Sequence, residues 1–139
     1  MARILIAPTK NNQAKDKISV LLKEQGHMVI DSNVDPVDWA PFLKGDSHLT
    51  PKEAMAIILG DQTVKSAYAD LERDMRTADT CLFFLPATPD ASMMAGWFAA
   101  RHKDVVGLMT GNGPPPLLAF MTTDLCLTVS EVVEAFSDR

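Results

Sequence analysis

The chain has 139 residues, with 13 Lys and Arg against 18 Asp and Glu, a net charge of −5 and 47% hydrophobic residues. That length suits one domain over residues 1–139 with a substantial core. An acidic balance without any Lys/Arg-rich run excludes a broad polymeric nucleic-acid footprint, which needs clustered positive charge.

Met1-Ala-Arg-Ile-Leu-Ile-Ala-Pro8 is too short an apolar run for a signal peptide. Arg3–Ala7 within it reads as a short buried strand, followed by a loop from Pro8 to Asn12. A helix through residues 16–25 follows, with Ile18, Leu21 and Leu22 on one face and Gly26 as its C-terminal cap. His27 to Ile30 reads as a second strand, with His27 as a structural strand-entry residue. Strand, helix and strand in succession argue for a right-handed parallel unit.

Residues 32–50 are the least regular part and include Asp35, Trp39 and His48. Long ordered loops of this kind are often functional. Thr50-Pro51-Lys-Glu53 then carries an N-cap, a first-turn proline and a capping-box glutamate, so a helix runs from there to about Leu59, where Gly60 stops it. Asp61 or Thr63 opens the next helix, which ends near Thr77. Val64, Ala67, Tyr68, Leu71, Met75 and Ala78 fall on one of its faces.

Thr80 to Leu85 is a continuous apolar strand, as expected where both sheet faces are covered. Ser92 is positioned to cap a helix to Arg101, on which Trp97 and Phe98 read as packing residues. Asp104 to Met109 is a fourth strand, a Gly/Pro-rich loop spans residues 110–116, and residues 116–121 make a short helical turn. Residues 125–127 read as a fifth strand, and Ser130 as the cap of a last helix. No apolar segment reaches the 18 residues of a membrane span, so a cytoplasmic protein is expected. Cys81 and Cys126 lie far apart in apolar runs and read as buried thiols. Without Cys-x-x-Cys or His-rich spacing, no metal site is expected.

Five strands alternating with helices predict an α/β three-layer sandwich: a flavodoxin-like five-stranded parallel sheet in the order 2-1-3-4-5. In such a sheet, ligands bind outside the carboxyl ends of the strands. The loops there supply Pro8, Thr9, Lys10, Asn11, Asn12, Asp35, Pro86, Asp90, Ser92 and Asn112, a hydrogen-bonding set suited to a sugar or nucleoside. Asp70 and Asp74 are four residues apart and share one helix face. As paired carboxylates they are candidates for acid and base work if desolvated; a wet acidic face relieved by Arg73 and Arg76 is the plainer account. The Pro8–Asn12 loop lacks the glycine spacing of a dinucleotide or P-loop fingerprint, and no cofactor is expected.

Several segments together resemble the nucleoside 2-deoxyribosyltransferase-like family. They are Ala78-Asp79 before an apolar strand ending at Pro86, Ala95-Gly96-Trp97, Asp104-Val-Val-Gly-Leu108, and the tail from Pro116-Leu-Leu-Ala-Phe-Met121 to Leu127-Thr-Val-Ser-Glu131. Ile4-Leu-Ile-Ala-Pro8 and Gly26-His-Met-Val29 look like the family's first strand-helix-strand unit. The resemblance implies a flavodoxin-like fold, a homodimer whose pockets are partly built by the neighbouring subunit, and a small-molecule nucleoside or nucleotide ligand. It also implies cleavage or exchange of an N-glycosidic bond by a Glu two residues before the glycine matching Gly96. Met94 stands at that position, and a thioether cannot form the covalent glycosyl intermediate. The family's assisting helix Asp falls at Leu71, beside Asp70. Three readings follow: a divergent binding protein, an N-glycosidase using Asp70, Asp74 or Asp90, or a ligand-free dimeric interaction module.

Overall fold

Strands β1 (Arg3–Ile6), β2 (Met28–Asp31), β3 (Thr80–Leu85), β4 (Asp104–Met109) and β5 (Asp124–Cys126) form one sheet. Every pairing is parallel, and the order is β2-β1-β3-β4-β5. This is the predicted topology. The computed structural model describes residues 1–9, 13–32, 37–43 and 49–139. The chain divides into two units, Met1–Val34 with Asp74–Arg139, and Asp35–Arg73.

In the first unit, α1 (Gln13–Glu24) and α6 (Val129–Ser137) cover one sheet face. Ile18 and Leu22 of α1 and Val132 and Phe136 of α6 meet Ile4, Ile6, Leu82, Phe84, Val106 and Leu108 in one cluster. Burial of this kind stabilises by roughly 25 cal/mol per Å² of apolar surface. The alternate residues of β3 and β4 face the other way, where α5 (Pro89–Ala100) packs on both strands. Helices on both faces explain why all six residues of β3 are buried.

Helix ends decide where the strands begin. Gly26 has φ 92°, and its N–H donates to Lys23 O while His27 N–H donates to Leu22 O. This is a Schellman closure. It holds the His27 backbone in the helix cap, so β2 starts at Met28 instead of His27. His27 is nevertheless structural: Nδ1 accepts from Ala2 N–H at 3.0 Å and the ring packs edge-on to Phe136.

Two predicted caps are corrected. Thr88, not Ser92, caps α5, its side chain accepting from Ala91 N–H with Pro89 in the first turn. Thr128, not Ser130, caps α6 by accepting from Glu131 N–H. In each case a threonine three residues ahead of the accepted N–H outcompetes a serine already inside the first turns. The last strand also shifts by one residue, to Asp124–Cys126. The turn at 116–121 is a 3-10 helix, Leu117–Met121.

The second unit holds α2 (Ala40–Leu43), α3 (Pro51–Gly60) and most of α4 (Gln62–Thr77). The α3 capping box between Thr50 and Glu53 forms as predicted. Asp61 opens α4, its Oδ1 accepting from Val64 N–H. The apolar stripe of α4 is less buried than its spacing predicts: Val64, Ala67, Leu71 and Met75 are half-buried, and Tyr68 is 65% exposed. Among the described residues, no helix is long and apolar enough to cross a membrane.

Candidate functional site

The carboxyl ends of β3 and β4 are joined by Thr110, whose N–H and hydroxyl both donate to Leu85 O at 2.8 Å. The chain then turns through a cis Leu85–Pro86 bond. Thr88 ties this turn to the end of β1, its hydroxyl donating to Pro8 O at 3.2 Å while accepting from Ala91 N–H. Three strand ends and the start of α5 are thereby fixed around one place.

A cleft of about 360 Å³ opens there, lined by Leu85, Pro86, Ala87, Ser92, Met109, Gly111, Gly113 and Pro114–Pro116. A second cavity of about 370 Å³ adjoins it, sharing Leu85, Ser92 and Pro116. This one runs between α5, with Ala95, Gly96 and Ala99, and the 3-10 helix, over Phe83 and Val105. Among the described residues, Ser92 and Thr122 are the polar side chains of the two linings, and none of those lining residues is ionisable. Thr122 spends its hydroxyl on Ala119 O at 2.7 Å. The Ser92 hydroxyl and backbone groups are left to address a ligand, which suits a flat, weakly charged surface.

The predicted residues fall as follows. Pro86 and Ser92 line the cleft. Pro8 is buried and engages Thr88 through its carbonyl, and Thr9 is half-buried beside it. Asn112 is exposed between Gly111 and Gly113. Asp90 is exposed in the first turn of α5, two residues and therefore about 200° around the axis from Ser92. Asp70 is exposed and pairs with Arg73 at 3.4 Å, and half-buried Asp74 accepts through its backbone carbonyl from Thr77 Oγ1. Lys10, Asn11, Asn12, Asp35 and His48 lie outside the described residues.

Met94 is 3% exposed and belongs to the buried side of α5 with Ala91 and Phe98. It lines neither cavity. The thiols offer no nucleophile at neutral pH. Burial pushes Cys81 up to about 12. Cys126 is pushed up to about 11 by burial and then by the Asp124 and Glu131 carboxylates, against a smaller opposing effect of Arg139. Among the described residues, no cluster of His, Cys, Asp and Glu is arranged to hold a metal ion.

The adjoining cavity was not foreseen from the sequence. Its signal was the uncharged run Pro116-Leu-Leu-Ala-Phe-Met121 directly after a Gly/Pro-rich loop.

No family model and no curated protein matches the sequence. Solved structures do match in fold. A 2-deoxyribosyltransferase from Bacillus psychrosaccharolyticus aligns over 95% of this chain and 90% of its own, with a TM-score of 0.63 and 13% identity. A CMP N-glycosidase of Clostridium botulinum aligns over 96% and 95%, with a TM-score of 0.52 and 13% identity. A conserved protein from Enterococcus faecalis V583 aligns over 96% of both chains, with a TM-score of 0.58 and 13% identity. The chain thus has the flavodoxin-like fold of the nucleoside 2-deoxyribosyltransferase-like proteins, shared over nearly its whole length.

Proposed function

We propose that the chain binds a nucleoside, a nucleotide or a related ribosyl ligand at the ends of β3 and β4, without nucleophilic chemistry from position 94, and that it works as a homodimer. The observation that carries the reading is the strand-end cleft itself. It sits where open parallel sheets take their ligands, yet its lining among the described residues has no ionisable side chain. A base can lie against Leu85, Pro86 and the proline-rich loop, with Ser92 and backbone groups supplying hydrogen bonds. Likeness in fold to a 2-deoxyribosyltransferase and a CMP N-glycosidase supports the ligand class.

The test is a thermal-shift panel of nucleosides, nucleoside monophosphates and free bases, followed by chromatography for released base. Ligand that binds only the folded state raises the melting temperature. A shift without base release is expected. Base release that is lost in Asp90→Ala, Asp70→Ala or Asp74→Ala would instead favour an active N-glycosidase. No shift from any compound would leave a ligand-free interaction module.

A further inference from the structure

We infer that the strand-end ligand is a nucleoside or base carrying an uncharged apolar substituent, an aryl or branched alkyl group on its exocyclic amine, and that this substituent is seated in the groove between α5 and the 3-10 helix. The inference rests on the ligand class of the reading above and deepens it. Three observations carry it.

The first is that the two cavities adjoin along a shared wall of Leu85, Ser92 and Pro116. They are of nearly equal size, about 360 Å³ for the cleft and about 370 Å³ for the groove. Each is large enough by itself for a small-molecule moiety. A bare base lying in the cleft leaves the groove to water. A ligand that continues past Ser92 fills both.

The second is the chemistry of the groove. Phe83, Leu85, Val105, Leu117, Leu118 and Met121 supply most of its surface. Thr122 has donated its hydroxyl to Ala119 O at 2.7 Å, and the backbone of β3 and β4 is paired in the sheet. An ion or a hydrogen-bonding group would give up its water there without replacement. An aryl or alkyl group is driven in by the same loss of water. Ser92 is the exception: its hydroxyl belongs to both linings among the described residues. The polar nitrogen that joins a base to its substituent is placed beside it.

The third is that two glycines keep the groove open. Gly96 lines it at mid-helix, and an added Cβ there would meet nothing within 4 Å. Glycine inside a helix costs about 1 kcal/mol relative to alanine, and what position 96 yields in return is groove volume. Gly107 acts on Phe83, another lining residue. A Cβ at 107 would stand 2.9 Å from Phe83 Cε1, so its absence lets the ring lie across β4. Larger residues at either position would take space that an incoming apolar group needs.

Titration calorimetry tests this with cytidine and adenosine, their N-benzyl derivatives at the exocyclic amine, and the corresponding N-(4-carboxybenzyl) derivatives. The proteins are the wild type, Gly96→Ala and Gly96→Leu, each with a circular-dichroism melt to verify its fold. At least one N-benzyl nucleoside is expected to bind the wild type about 10- to 100-fold more tightly than its parent, the gain from burying one aromatic group. The gain should be lost in Gly96→Leu, whose side chain fills the groove, and absent for the carboxybenzyl compounds, whose charge finds no partner there. Benzyl derivatives that bind where the parents do not, and that fail on Gly96→Leu, support the inference equally. Parents that bind while every benzyl derivative binds no better overturn the groove as part of the site but leave the ligand class standing. A benzyl gain that persists in Gly96→Leu places the substituent elsewhere and overturns the inference too. Absence of binding by every compound overturns both.

Discussion

The ring of Phe83 lies across Gly107, its registered neighbour on the adjoining strand: a Cβ built on Gly107 would stand 2.9 Å from Phe83 Cε1 and 3.3 Å from Leu125 Cδ1. Gly107 therefore makes the hollow in β4 into which a groove-lining aromatic settles. Gly107→Ala is expected to cost about 1–3 kcal/mol, the usual penalty for overpacking, and to push Phe83 into the groove. Denaturant melts measure the first effect. A displaced Phe83 ring in a crystal structure of the same variant reports the second.

The loop between α5 and β4 keeps an avoidable strain. His102 has φ 57°, its N–H donates to Ala99 O, and Lys103 N–H donates to Phe98 O. That is the same closure Gly26 makes after α1, but with an L side chain at the left-handed position. His102→Gly is expected to stabilise by about 0.5–1 kcal/mol, and Gly26→Ala to destabilise by about 1 kcal/mol. Opposite shifts of the melting temperature are the check.

Both thiols ionise only well above their ordinary value of 9.0, Cys81 at about 12 and Cys126 at about 11. The unfolded chain loses these protons first, so their contribution is complete below pH 9 and falls as the pH rises through 9 to 11 or 12. Unfolding free energy should decline over that window, and more gently in Cys81→Ala/Cys126→Ala. At pH 8 neither thiol should react with a thiol reagent until the chain unfolds.

Placing a carboxylate at position 94 tests whether the fold retains a latent nucleophile. Met94 is buried on α5 and lines neither cavity, so Met94→Glu is expected to bury an unpaired acid. A loss of several kcal/mol without base release is the expected outcome. Released base would show that the helix turns its acid toward the cleft.

Ser92 is the polar side chain among the described residues shared by both cavities, and it is exposed. Ser92→Leu should leave the melting temperature of the free protein within about 0.5 kcal/mol equivalent of wild type. It should remove the thermal shift given by whichever nucleoside or nucleotide binds the wild type.

The sheet was legible in the amino-acid order because parallel strands covered on both faces are written as unbroken apolar runs, as in Thr80–Leu85 and Asp104–Met109, and because Gly26 and Thr50-Pro51-Lys-Glu53 are local signals. The misplaced caps were legible too: Thr88-Pro89 repeats the pattern of Thr50-Pro51, and Thr128-Val-Ser-Glu131 that of a capping box. Local chemistry of this sort acts between residues a few positions apart and can be read from order alone. The site is different. Whether Met94 faces sheet or cleft depends on how α5 is rolled against β3 and β4. The groove exists only because residues 83, 96, 105 and 118 meet from four separate elements. Those relations are set by packing across the fold, where side chains distant in the chain compete for the same space, and only the tertiary structure decides them.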